Sequence, residues 1–126
     1  MNYVWVAVGS ALGGMGRYAC SGLGARLLSE TFPWGTLFVN VLGSLIIGAL
    51  AVVIPAESRI FADNSREFLM IGICGGFTTF SSFSLETLNL ARNGELGAAA
   101  GYVIGSVVLC LLAVALGYYA TAALAR

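Results

Sequence analysis

The sequence has no histidine and no lysine, and only 10% of its 126 residues are charged. Each absence removes a class of chemistry. Without histidine there is no Ser-His-Asp triad, no imidazole metal cluster and no imidazole proton relay. Without lysine there is no Schiff base and no Walker lysine. Six arginines are offset by six acids, so the basic footprint of a nucleic-acid-binding surface is missing and no nucleic-acid partner is expected. No nucleophile-base pair stands out, so an enzyme is not expected. What is plentiful is apolar surface. A hydrophobic share of 59% opposes disorder and exceeds what a soluble core of this length absorbs. The composition is that of an all-α integral membrane protein.

A helix needs about 20 apolar residues to cross a ~30 Å hydrocarbon layer. Four stretches qualify: Tyr3 to Leu28, interrupted by Arg17; the charge-free run Thr31 to Ala56; Phe68 to Leu85, continuing through Glu86 to Leu90; and the charge-free run Leu96 to Ala125. They predict four transmembrane helices, at about 3–28, 34–54, 68–90 and 97–123, in one domain. Pro33 suits a helix start, and Asn93-Gly94 is a turn signal. Pro55 to Glu67 carries Glu57, Arg59, Asp63, Arg66 and Glu67. The N-terminus lacks the basic region and cleavage site of a removable signal peptide. Arg26 and Arg92 fall on one side of the membrane, and Arg59, Arg66 and Arg126 on the other. That near balance does not set an orientation. It fits either insertion both ways up or one orientation set by a few charges. Cys20, Cys74 and Cys110 all lie in apolar runs without Cys-x-x-Cys spacing and read as packing residues.

Seventeen glycines need a reason. Gly9, Gly13, Arg17, Ser21 and Ala25 recur every fourth residue, as do Gly97, Gly101 and Gly105, and Ser44 and Gly48 make a further pair. Such faces let helix backbones approach closely, which predicts a compact bundle that oligomerises.

The third stretch is the unusual one: Gly72-Ile73-Cys74-Gly75-Gly76-Phe77-Thr78-Thr79-Phe80-Ser81-Ser82-Phe83-Ser84-Leu85-Glu86. Adjacent glycines invite a break, and non-helical backbone at this depth is tolerated only when buried or lining a wet cavity. The other reading is a Gly-Ser-Thr packing face with hydroxyls bonded back to the backbone. Freed carbonyls would suit a small hard cation. Phe80 and Phe83 share a face, and aromatic edges are positive. Asn40 lies inside the second stretch, and Tyr102, Ser106 and Cys110 form one stripe on the fourth. Arg17 costs roughly 2.5–3.5 kcal/mol at mid-bilayer on insertion scales. Arg17, Asn40, Tyr102, Ser106 and the hydroxyl cluster all donate hydrogen bonds, and Glu86 is the single acid within a span. A donor-lined path suits an anion.

The run Gly72 to Ser84 closely resembles the signature of the Fluc (CrcB) fluoride channels. So do Gly13-Gly14-Met15-Gly16-Arg17-Tyr18 and Gly35-Thr36-Leu37-Phe38-Val39-Asn40. The resemblance covers the whole chain. It implies an antiparallel dual-topology homodimer in the inner membrane, with two pores per dimer and third helices that break at mid-membrane. It also implies a structural, untransported Na⁺ held by the backbone carbonyls of Gly75 and Thr78. Phe80 and Phe83 would contact fluoride by their ring edges, with Asn40, Tyr102, Ser106, Ser81, Ser82 and Glu86 along the pore and Arg17 in the vestibule. The implied function is passive fluoride export for detoxification. A small multidrug-resistance-like transporter is the competing family, but its membrane acid sits in the first helix, where this chain has Arg17. A non-conducting scaffold subunit would leave the hydroxyl cluster unexplained.

Overall fold

The computed structural model describes residues 2–54 and 64–126. Pro55, Glu57, Arg59 and Asp63 of the connection lie outside the described residues. The described residues form helices only: α1 (Asn2–Leu27), α2 (Trp34–Val53), α3, α4 (Phe80–Arg92) and α5 (Leu96–Leu124). In α3 a π-helical stretch, Arg66–Cys74, runs into one α-turn, Gly75–Phe77. Three stretches combine the length and apolarity to cross a membrane: Trp34–Val53, Arg66–Arg92 and Leu96–Leu124. The protein is a multi-pass membrane protein. α1 has the length, at 26 residues, but glycine, serine and Arg17 dilute its apolar content.

Local chemistry sets the helix ends. α2 begins directly after Pro33, whose carbonyl accepts from the Leu37 N–H at 3.2 Å. α4 ends at Asn93-Gly94, where Gly94 takes φ +81°, a left-handed conformation that costs glycine little. Its N–H returns to Ala91 O at 3.1 Å.

Glycine decides how close the helices come. A Cβ on Gly13 would run into the Ile73 carbonyl and lie 2.7 Å from Phe77 N, so α1 lies backbone to backbone on α3. Trp5 and Phe68 extend that seam with an edge-on ring contact at 5.7 Å. Gly48 and Gly117 do the same for α2 and α5: a Cβ on Gly117 would strike Leu45 O and lie 3.1 Å from Ala49 N. Neither obstacle is a flexible side-chain tip. Gly117→Ala is therefore expected to force the pair apart and destabilise the protein by about 1–3 kcal/mol, the usual cost of overpacking. A melting curve of the purified variant that matches wild type would refute this. By contrast, Gly97, Gly101 and Gly105 meet nothing within 4 Å. That stripe packs no helix among the described residues.

Phe83, Leu90, Ala99 and Tyr102 form the buried seam between α4 and α5, with Phe32 and Leu37 packed against it.

Candidate functional site

Adjacent glycines predict a break at Gly75-Gly76, but helix geometry passes through both. The extended residues are Thr78 (φ −89°, ψ 160°) and Thr79 (φ −155°, ψ 123°). Gly76 serves packing instead. A Cβ on Gly76 would lie 2.6 Å from Ser10 O on α1.

Side chains arriving from elsewhere hold the extended pair. Asn40 on α2 clamps Thr79: its Oδ1 accepts the Thr79 N–H at 2.8 Å, and its Nδ2 donates to Thr79 O at 3.0 Å. The amide thus replaces the hydrogen bonds that a helix would give that residue. Thr79 Oγ1 then accepts the Ser82 N–H at 3.1 Å, which caps the start of α4. Thr78 Oγ1 donates back to Cys74 O at 2.9 Å. Arg17 on α1 donates from Nε to Gly76 O at 3.2 Å.

These contacts sort the carbonyls of the interruption. In an unbroken helix, Gly75 O would accept from Thr79 N and Thr78 O from Ser82 N. Both amides are diverted, the first to Asn40 Oδ1 and the second to Thr79 Oγ1. Gly76 O and Thr79 O are taken by Arg17 and Asn40. Gly75 O and Thr78 O thus lose their helical amides, and both residues line one groove. Hard cations of low charge accept such ligands, so the residues fit a small hard cation.

That groove holds about 410 Å³ and is lined by Asn40, Gly75, Thr78, Phe80, Phe83 and Ser106, among others. Cys110 lines it as well, so the polar stripe of α5 does extend to the thiol. Ser106 is 5% exposed, and its Oγ has no hydrogen-bond partner among the described residues. The same holds for the Tyr102 hydroxyl, 1% exposed. A buried hydroxyl without a partner costs free energy comparable to a lost hydrogen bond, so both are unspent donors. Asn40 has a second N–H beyond the one given to Thr79.

A row of rings leads out of the groove. Phe80 and Phe83 lie 5.4 Å apart, Phe83 and Tyr102 5.0 Å, and Tyr102 and Phe32 5.3 Å. Phe32 lines a second cavity of about 650 Å³, together with Thr36, Glu86, Asn89 and Arg92. There the Thr36 hydroxyl donates to both Glu86 oxygens, at 2.8 and 3.0 Å. The buried rings of Phe83 and Tyr102 therefore stand between the groove and the outer cavity.

Of the residues singled out in the sequence, the groove brings together Asn40, Phe80, Phe83, Ser106, Gly75 and Thr78, with Tyr102 behind Phe83. Glu86 belongs to the outer cavity. Arg17 lies on the far side of α3, at Gly76 O. Ser81 and Ser82 line neither cavity. Ser81 is exposed and shares a 3.3 Å contact with Thr79 Oγ1, and Ser82 contributes its backbone N–H to the cap. Sequence reasoning gave no role to Thr36. Its place beside Asn40 in the Gly35–Asn40 motif, one turn earlier, was the available signal. It also took Asn40 for a donor alone, although Oδ1 is equally engaged.

The comparisons agree with one another. The profile of the CrcB-like protein, camphor resistance (CrcB), matches residues 4–118. The fluoride-specific ion channel FluC of Opitutus terrae is 56% identical over 123 residues, covering 97% of this chain and 93% of that one. That of Paramagnetospirillum magneticum is 51% identical over 127 residues, covering 100% and 99%. That of Methylocella silvestris is 50% identical over 125 residues, covering 98% and 95%. With a profile match across nearly its whole length and relatives at this identity, the chain belongs to the CrcB family.

Proposed function

We propose that the protein is a fluoride-selective channel that lets cytoplasmic fluoride leave passively down its gradient. The carrying observation is the groove in which Asn40, Phe80, Phe83 and the unpartnered Ser106 hydroxyl meet. Fluoride is small and strongly hydrated, so stripping its water must be offset by closely spaced donors. The groove offers the spare Asn40 N–H, the Ser106 hydroxyl and the positive edges of two phenyl rings, with Tyr102 packed behind Phe83. It holds no fixed positive charge, which suits conduction, since an ion must leave as readily as it enters. The names of the relatives, all fluoride-specific channels, support the same reading.

The ion's route runs along Phe80, Phe83, Tyr102 and Ser106 to the outer cavity, where Glu86 and Thr36 stand at the exit. Ser81 and Ser82 flank it near the start of α4. Arg17 stands in the opposite vestibule, where its free Nη groups raise the local anion concentration. Four spans cross the inner membrane, with the Thr78–Thr79 interruption at mid-membrane. Two copies pair antiparallel, the near balance of two arginines against three permitting both orientations, and each dimer carries two pores. Gly75 and Thr78 carbonyls from both copies would hold one structural Na⁺, which is not transported. When bound, that ion supplies a fixed positive charge that ties the two interruptions together. Phe80, 77% exposed, and the open glycine stripe of α5 are the surfaces left for a second copy.

The testing experiment is ion efflux from liposomes, read with fluoride and chloride electrodes. Fast fluoride release without chloride release is expected. Release of both ions overturns the selectivity, and release of neither overturns the channel. Rigorous removal of Na⁺ from both faces is expected to lower fluoride flux by more than about tenfold, as loss of a ligand bound only to the native assembly should. Full flux without Na⁺ would rule out the central cation.

A further inference from the structure

The carbonyl site depends on which oxygens the interruption leaves free, and two side chains decide that. Asn40 takes Thr79 O at 3.0 Å and Arg17 takes Gly76 O at 3.2 Å. Arg17 follows Gly13 by one turn on the same face of α1. Gly13 lies against Ile73 O and Phe77 N, so close backbone packing delivers the guanidinium to the end of α3. Gly76 O is the carbonyl immediately after Gly75 in the chain. Its own helical amide would be Phe80 N, which the extended residues carry away. Left alone, this carbonyl would turn toward any donor within reach, and the peptide plane before it would turn with it.

We propose that Arg17 is a positioning residue of the carbonyl cation site: by holding Gly76 O through Nε, it fixes the direction of the Gly75 carbonyl. This rests on the sodium reading above. It is separate from attraction of anions, because the contact uses Nε–H and not the two Nη groups. The two roles need different parts of the side chain, and substitutions separate them. Glutamine places an amide N–H at the same point along the side chain as Arg Nε, without the charge. Lysine keeps the charge but has a methylene there. Methionine has neither.

The experiment is a Na⁺ titration of thermal melting on the purified full-length protein, in a choline background of constant ionic strength. Wild type, Arg17→Gln, Arg17→Lys and Arg17→Met are compared. Arg17→Met and Arg17→Lys are expected to need at least about tenfold more Na⁺ for half of the stabilisation, a shift of one decade in a binding constant. Arg17→Gln is expected to stay within about threefold of wild type on that scale, while losing fluoride flux at low fluoride concentration. An Arg17→Lys titration equal to wild type, or an Arg17→Gln titration equal to Arg17→Met, overturns the proposal. So does a lower Na⁺ requirement in Arg17→Met, which would mean that the guanidinium merely repels the ion. A wild type indifferent to Na⁺ overturns the sodium reading instead. Backbone hydrogen exchange at residues 76–80 then decides the contact itself. Faster exchange in Arg17→Met than in Arg17→Gln upholds it, and equal rates remove it.

Discussion

Fluoride flux is expected to fall about a hundredfold or more when Phe80 becomes isoleucine, equivalent to roughly 2.7 kcal/mol of barrier. The folded protein is expected to survive. Phe80 is 77% exposed, and its ring meets Phe83 at 5.4 Å. Losing that ring pair costs about 0.5–1.5 kcal/mol, too little to unfold the chain. The aliphatic replacement keeps the position apolar and removes only the positive ring edge. Phe83→Ile should lose as much flux, but Phe83 is 8% exposed and also touches Tyr102, so part of its effect is structural. Phe80→Ile is the cleaner test within one chain, and because Phe80 also faces the proposed second copy, size-exclusion chromatography of the variant must show an unchanged assembly. Normal efflux from liposomes containing this variant would remove the ring edges from the permeation path.

Asn40→Asp is the second large effect. The carboxylate can still accept the Thr79 N–H, but the donor to Thr79 O is gone. Two oxygens then face each other, and a negative charge stands in the groove proposed for fluoride. Flux is expected to drop about a hundredfold or more, since like charge at close range in a poorly screened site costs several kcal/mol. Asn40→Ala separates the two causes. It leaves both Thr79 backbone groups without their partner, at about 1–3 kcal/mol each when buried, but adds no charge. A lower melting temperature with measurable flux is expected for alanine, and a near-silent channel for aspartate. Equal flux in both would place the role of Asn40 in holding the backbone rather than in meeting the ion.

The helical architecture was legible because it follows from apolar run length, and Pro33 and Asn93-Gly94 mark helix ends by backbone chemistry alone. The site was legible as a set of residue types: hydroxyls, an amide and two phenylalanines in a charge-poor chain. What each polar atom touches was not. Asn40 and Thr79 are 39 residues apart, Thr36 and Glu86 50, and Arg17 and Gly76 59. No periodicity within one helix encodes such pairings. Gly75-Gly76 misled in an instructive way. Glycine permits both a break and a close approach, and only the neighbouring Ser10 backbone shows that close approach is the use of Gly76. The extension falls two residues later, where Thr78 and Thr79 find side-chain substitutes for helical hydrogen bonds.

The clamp on the interruption has a consequence for biogenesis. Arg17 and Asn40 belong to the helices that leave the ribosome first, and their partners belong to the segment that follows. Until that segment enters the bilayer, one guanidinium and one carboxamide wait in the first helical hairpin without the backbone groups that will satisfy them. An early hairpin with such unmet polar groups is a weak resident of the lipid phase, and arrival of the second half completes it. Truncation after α2 should therefore yield a product that is poorly retained in the membrane and quickly degraded. The contacts of Arg17 with Gly76 and of Asn40 with Thr79 thereby latch the two halves of the chain together.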